Sequence, residues 1–355
     1  DAQTLFANLP GRLSDDAGLA YSRFNWMAAR SDWTDAVALL TARTGDAALL
    51  GEPLRWSGWL RTLARWELRE GRAASAYRLA SQHHLRAADG ESFSDLEWLS
   101  GFIALRFLND ADLALRHFET MAAAVDTPIS EGRAGYWIGR VHEARGDAAK
   151  AAASYAEAAR HQTGFYGLLA SEKLGLPLDP SIAGREVFPS WQSAPFLGTE
   201  TTRAALTLLS AGERSGAVSF FAILGRTLDR TELGQMGQIL DRMHEPFFAV
   251  MLGKAAVQRG ILIPDIYFPL HPMADLNLPI STELALSIAR RESEFRTDAG
   301  SSAGALGLMQ LMPGTAQDVA RSLGLPYSRG RLITDWSYNL TLGAEYLAGL
   351  EEEFG

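Results

Sequence analysis

Ala289-Arg290-Arg291-Glu292-Ser293-Glu294-Phe295, followed by Gly300-Ser301-Ser302-Ala303-Gly304-Ala305-Leu306-Gly307-Leu308-Met309-Gln310-Leu311-Met312-Pro313-Gly314-Thr315-Ala316, is the stretch on which the reading of this chain turns. Ser281-Thr282-Glu283 supplies a hydroxyl cap and a first-turn acid, so a helix is predicted from about Thr282. On it Leu284, Ala285, Ile288 and Ala289 form an apolar stripe, and Glu292 shares that face. Glu294 lies nearly opposite and is expected in solvent. A carboxylate at the end of an apolar stripe is expected to be partly desolvated. Desolvation raises its pKa, which suits a general acid. The competing reading is a helix-end Glu paired with Arg290, Arg291 or Arg296.

The loop from Asp298 to Gly307 has no bulky side chain before Leu306, so a ligand or another backbone can approach closely. The competing reading is a tight helix–loop–helix connection. Ser301 or Ser302 is placed to donate to Glu292 or to a substrate amide. Gln310 falls between Met309 and Leu311 in what reads as a second short apolar helix, where a buried amide needs partners. A sugar N-acetyl or hydroxyl group is one such partner. Met312-Pro313-Gly314-Thr315 then stops that helix and starts the next.

Composition narrows the function classes. The chain has 355 residues, 47% hydrophobic and 21% charged, which is an ordinary globular balance with room for two or three domains. A net charge of −9 argues against nucleic acid as a partner. The absence of cysteine rules out a disulfide scaffold, Cys-ligated zinc and a Cys nucleophile. No metal-ligand spacing and no phosphate loop after a strand is found, so neither metal nor cofactor is expected. The His83-His84 pair reads as surface, with no carboxylate partner in the pattern. No apolar run reaches transmembrane length. The chain starts at Asp1, and a signal peptide is expected to have been removed.

Upstream, helical patterns follow one another and no strand pattern appears. Trp59, Trp98 and Trp137 stand 39 residues apart, each read as beginning an apolar helix. Each is followed by a turn (Gly71, Asp110, Gly146-Asp147) and then an aromatic on the next helix (Tyr77, Phe118, Tyr155). A fixed period of this size is the signature of stacked helical hairpins, with the tryptophans as packing residues. Residues 177–199 are rich in Pro and Gly and read as a linker. Helical patterns resume from about Glu200 to Arg259, with Gly212, Gly225 and Gly234 near expected helix ends, and Pro264, Pro269 and Pro272 punctuate an extended passage.

The Arg291-Glu292-Ser293 motif, the Gly304-to-Gln310 block and Met312-Pro313-Gly314-Thr315-Ala316 resemble the soluble lytic transglycosylases of bacterial cell walls. Asp95 to Gly101, Ala104 to Leu108, Tyr136-Trp137 and Phe165-Tyr166-Gly167 resemble that family's helical superdomain, so the resemblance runs from about residue 95 onward. It implies an all-α chain: an α-superhelical domain over 1–190, a helical linker domain over 191–272 and a lysozyme-like catalytic domain over 273–355. It implies Glu292 as sole catalytic acid/base, Ser301 bonded to that carboxylate, and Met309 and Gln310 lining the cleft, with Ser293 also counted among the substrate-binding residues. The implied reaction cleaves the MurNAc–GlcNAc β-1,4 bond of peptidoglycan without water, giving 1,6-anhydro products. No second carboxylate shares the Glu292 face, whereas a standard two-carboxylate glycosidase needs one. The implied setting is a periplasmic monomer acting on glycan strands, with cell-wall synthesis enzymes as further partners. One departure stands out. The tyrosine that supports the acid in the family has no counterpart near Tyr338-Asn339, and the domain is expected to be truncated at its C-terminus. Two alternatives remain: a lysozyme-type hydrolase activating water with Asp298 or Asp335, and an inactive helical scaffold binding glycan or protein.

Overall fold

The computed structural model describes residues 4, 10, 13, 15–184 and 186–354. The chain is all-α, with no strand among the described residues and only two isolated β-bridges, Gly300 with Leu306 and Leu306 with Leu311. It divides into two units, Asp1–Asp179 and Pro180–Gly355.

In the first unit the helices are α1 (Ala17–Ala28), α2 (Trp33–Thr41), α3 (Ala47–Leu50), α4 (Pro53–Arg69), α5 (Ala73–Ser81), α6 (Glu91–Arg106), α7 (Ala111–Ala122), α8 (Pro128–Ala144), α9 (Ala148–Ala158) and α10 (Phe165–Leu174). The 39-residue period corresponds to the hairpins α4/α5, α6/α7 and α8/α9, each packed on the next. Asp110 and Asp147 cap the second helices of two hairpins by accepting the amides of Leu113 and Lys150. The tryptophans do not begin their helices, which start at Pro53, Glu91 and Pro128; they sit in mid-helix, where side chains are packed from both flanks. Trp137 stacks on Phe118 at 5.7 Å and meets Trp98 edge-on at 5.8 Å, while Trp59 packs on Phe24 at 5.1 Å. Within a hairpin, a glycine lets the facing ring approach. A Cβ on Gly101 would lie 2.7 Å from the Phe118 ring, and one on Gly139 would lie 2.5 Å from the Tyr155 ring.

His83 is buried, contrary to its surface reading, and it does have a carboxylate partner. Its Nδ1 accepts the Leu85 amide at 2.9 Å, so Nε2 carries the proton and donates to Glu97 at 3.1 Å. His117 Nδ1 donates to the other Glu97 oxygen at 2.6 Å, and Tyr77 bonds His117 Nε2 at 2.9 Å. Glu97 is fourteen positions from His83 in sequence and is brought there by helix packing, so the pattern could not reveal it. Burial alone would raise the Glu97 pKa, but the hydrogen bonds from His117 and His83 outweigh it and bring it to about 2. A carboxylate whose folded pKa lies below its ordinary value stabilises the fold above that ordinary value, and the contribution fades as pH falls toward the folded one. The expected result is a loss of about 2–3 kcal/mol between roughly pH 5 and pH 2. Acid titration followed by circular dichroism checks it. In Glu97→Gln the same window should be flat, from a lower starting stability.

In the second unit the helices are α11 (Glu200–Ser210), α12 (Arg214–Thr227), α13 (Arg230–Arg242), α14 (Pro246–Val257), α15 (Pro264–Tyr267), α16 (Thr282–Ser293), α17 (Pro313–Ser322), α18 (Arg331–Thr334) and α19 (Trp336–Phe354). Two apolar clusters form here. One gathers Phe221, Leu233, Met236, Leu240 and Phe248 from α12–α14. The other gathers Ala285, Ala289, Phe295, Leu308, Met309, Leu332 and Leu342 around α16–α19. Helix α14 serves both, giving Phe247 and Phe248 to the first and Val250 to the second. Gly225 and Gly234 lie inside helices and act as packing positions. A Cβ on Gly225 would meet Leu252 O at 2.5 Å, and Phe188 lies directly on Gly234. Pro264 opens the one-turn α15, and Pro272 opens a 3-10 turn, where the sequence suggested extended chain.

Candidate active site

Helix α16 starts as the sequence predicts: Ser281 Oγ accepts the Leu284 amide at 3.2 Å. Ala285 and Ala289 are fully buried, with Leu284 and Ile288 packed beside them. The helix ends with two successive left-handed residues, Glu294 (φ 55) and Phe295 (φ 68). This turn drives Phe295 into the core, 4% exposed, and leaves Glu292 exposed on the last helical turn. The expected desolvation of Glu292 is therefore not present in the protein alone, because Phe295 fills the buried end of the stripe. The ion-pair reading of Glu292 also fails. Arg290 donates twice to Tyr267 O, at 3.0 and 2.8 Å, and covers the Tyr267 and Phe268 rings. Arg296 pairs with Asp298 at 3.1 Å. Glu294, expected in solvent, is half-buried and paired with Lys254. Among the described residues Glu292 makes no ion pair and no side-chain hydrogen bond, so its carboxylate is open to a substrate.

The segment after it is not a helix. Residues 306–311 form a tight turn closed by paired bonds between Leu306 and Leu311, at 2.9 and 3.0 Å. Its apolar spacing imitates a helix, but Gly307 (φ 78) and Gln310 (φ 49) are left-handed. A Cβ on Gly307 would lie 1.9 Å from Leu332 O and 2.3 Å from Asn339 Nδ2. Gly307→Ala is expected to cost roughly 2–4 kcal/mol, combining backbone strain with that clash, and thermal melting reads it.

Each predicted site residue has a definite place. Ser293 Oγ donates to Leu308 O at 2.7 Å and to Ala289 O at 3.1 Å, tying the Glu292 helix to the turn. Gln310 Nε2 donates to Gly307 O at 2.9 Å and Ala299 O at 3.2 Å, fastening the turn to the loop. Met309 is 5% exposed and lies against Gly343 of α19, where a Cβ would come within 2.8 Å of it. Ser301 Oγ accepts the Ala305 amide at 2.9 Å and shapes its own loop, with no bond to Glu292. Glu292, Ser293, Met309 and Gln310 thus belong to one connected assembly, with Ser301 at its loop edge.

Asn339 was missed as a functional position. It is 0% exposed and clamps the turn three ways. Its Oδ1 accepts the Met309 amide at 2.8 Å, and its Nδ2 donates to Leu306 O at 2.9 Å and Leu332 O at 3.0 Å. The available signal was a polar residue on the apolar face of a long helix, which must find partners when buried. Its neighbour Tyr338 is committed elsewhere, donating to Pro326 O and accepting the Ser328 amide, both at 3.1 Å. Asp335 caps α19 through the Tyr338 amide and pairs with Arg331 at 2.9 Å. These contacts hold its carboxyl below its ordinary pKa.

No group of three or more His, Cys, Asp or Glu among the described residues is arranged to hold a metal ion. No helix among them is long and apolar enough to cross a membrane.

Residues 272–355 match the transglycosylase SLT domain family. A putative soluble lytic murein transglycosylase of Haemophilus influenzae is 30% identical over 197 residues, covering 54% of this chain and 33% of that protein. The soluble lytic murein transglycosylase of Salmonella typhimurium is 28% identical over 228 residues, covering 62% of this chain and 34% of that protein. The chain therefore spans about a third of the length of these relatives. Among solved structures, an inactive Glu-to-Gln mutant of lytic transglycosylase Slt from Pseudomonas aeruginosa superposes with a TM-score of 0.61 at 23% identity, covering 99% of this chain and 60% of that one. The 70 kDa soluble lytic transglycosylase of Escherichia coli gives 0.53 at 22%, covering 96% and 61%. At these identities the superpositions speak to the fold.

Proposed function

We propose that this chain, a member of the soluble lytic transglycosylase family with its SLT domain at residues 272–355, cleaves the MurNAc–GlcNAc β-1,4 bond of peptidoglycan without water. The observation that carries the reading is the state of the acids. Glu292 is the open carboxylate beside the Ser293–Gln310 assembly, while Asp298, Asp335 and Glu294 are each held in ion pairs. A hydrolase of the two-carboxylate kind needs a second free acid across the bond.

In the proposed reaction, protonated Glu292 gives its proton to the glycosidic oxygen as the bond to the muramyl anomeric carbon breaks. The muramyl 6-hydroxyl then attacks that carbon and returns its proton to Glu292, closing the 1,6-anhydro ring. Acid is regenerated and no water is consumed. Glu292 is exposed in the protein alone, so the bound glycan is what excludes water from around it. Ser293, Gln310 and Asn339 act as positioning residues, because their bonds run to the backbone of the turn. That a relative is described as inactive with a Glu-to-Gln change supports a single essential glutamate. The proposal includes the boundary near residue 272 between a helical linker domain and a lysozyme-like domain, and a Gram-negative periplasmic setting, where the substrate lies.

Purified murein sacculi incubated with the protein should lose turbidity and release soluble muropeptides. Sacculi that bind the protein but stay intact would favour the scaffold reading.

A further inference from the structure

The turn that ends α16 carries side chains where helices favour glycine. A helix that closes on a left-handed residue usually places glycine there, because a Cβ strains that conformation. Here the closing residue is Glu294, with φ 55 and ψ 33, and Phe295 follows at φ 68. Neither residue type adopts the left-handed region freely. Two successive strained residues persist only where their surroundings hold them.

The two are held by different elements. Phe295 is held from the core: its ring stacks on His271 at 5.5 Å, and His271 meets Trp336 edge-on at 4.7 Å. Glu294 lies outside that core. Its amide donates to Arg290 O at 3.1 Å, as at a helix end, and its carboxylate pairs with Lys254 on α14. Among the described residues no other side chain bonds to or pairs with Glu294. Glu292 stands two residues before it, on the last turn of α16, with Ser293 between them fixed to Leu308 O at 2.7 Å. If Glu294 leaves the left-handed region, the last turn unwinds and Glu292 moves with it.

The geometry points to Lys254 as a positioning residue for the lytic reaction: by holding Glu294 in its left-handed conformation, it keeps the last turn of α16 wound and Glu292 in place. The inference rests on the reading of Glu292 as the acid. The Lys254 and Glu294 side chains are 51% and 31% exposed, and pairs this open to water add little to global stability. The effect of the pair falls on the turn beside the acid.

The test compares Lys254→Met, Lys254→Arg, Glu294→Gly and the double variant Lys254→Met, Glu294→Gly. Lys254→Met keeps the methylene stem and removes the ammonium. It should lower the maximal rate of murein solubilisation about tenfold, because small misplacements of a reacting group are costly. The half-saturating murein concentration should stay the same, and the melting temperature should stay within about 3 °C of the parent. Lys254→Arg, which keeps the pair, should recover most of the rate. Glycine at 294 needs no pin, so in the Glu294→Gly background the Lys254→Met change should cost nothing further. Amide hydrogen exchange reads the turn without reference to activity. The Glu294 and Phe295 amides should exchange about tenfold faster in Lys254→Met than in the parent, and at the parent rate in Lys254→Arg. A full rate in Lys254→Met, an equal loss in the glycine background, or unchanged exchange would overturn the proposal. A parent protein that solubilises no murein would overturn the reading of Glu292, and the positioning role with it, whatever the exchange shows.

Discussion

Glu292→Gln is expected to lower murein solubilisation by about a hundred- to ten-thousandfold, the usual contribution of a positioned general acid. Binding to sacculi should be unchanged. The substitution keeps the side chain's shape and removes only its exchangeable proton. Glu292 has no ion pair or side-chain hydrogen bond to lose among the described residues, and it sits exposed on the final turn of α16, so the fold has no reason to respond. This separates a chemical role from a structural one more cleanly than at most buried acids. A variant that melts at the same temperature and keeps its activity would show that another group delivers the proton. Asp298 and Asp335 are the alternative acids, and each is engaged by an arginine.

Asn339→Ala is expected to have the largest effect on stability. The side chain is 0% exposed and satisfies three backbone groups, the Met309 amide and the Leu306 and Leu332 carbonyls. Alanine leaves all three buried without partners and opens a small cavity. At about 1–3 kcal/mol for each stranded group, the total is roughly 3–6 kcal/mol. For a unit of this size that corresponds to about 10 °C or more in the melting temperature of the second unit. Activity should fall as well, because the clamped turn is the one Ser293 joins to the Glu292 helix. A melting temperature within a degree or two of the parent protein would mean that the turn holds itself.

Much of the architecture was legible because it follows from local rules. The hairpins of the first unit show in the even spacing of Trp59, Trp98 and Trp137, and Ser281 announces α16 through its capping hydroxyl. What escaped depends on contacts distant in sequence. Leu306 to Leu311 carries helical apolar spacing, yet Asn339, 32 residues beyond Gly307, presses on that glycine and fixes a left-handed turn. The exposure of Glu292 depends on Phe295 taking the buried place three residues later, which periodicity alone assigns to the acid. His83 looked solvated because its carboxylate partner, Glu97, lies on the next helix. Gly225 and Gly234 read as helix ends, since a glycine required by a neighbouring helix or ring cannot be told from a terminating one without the neighbour.

We propose that cleavage uses the muramyl hydroxyl in place of water. This is tested most directly by digesting purified murein with the protein and weighing the released muropeptides by mass spectrometry. The expected products end in 1,6-anhydroMurNAc, each lighter by one water than the corresponding reducing-end muropeptide. Products carrying ordinary reducing ends would contradict it and assign the chain to hydrolysis.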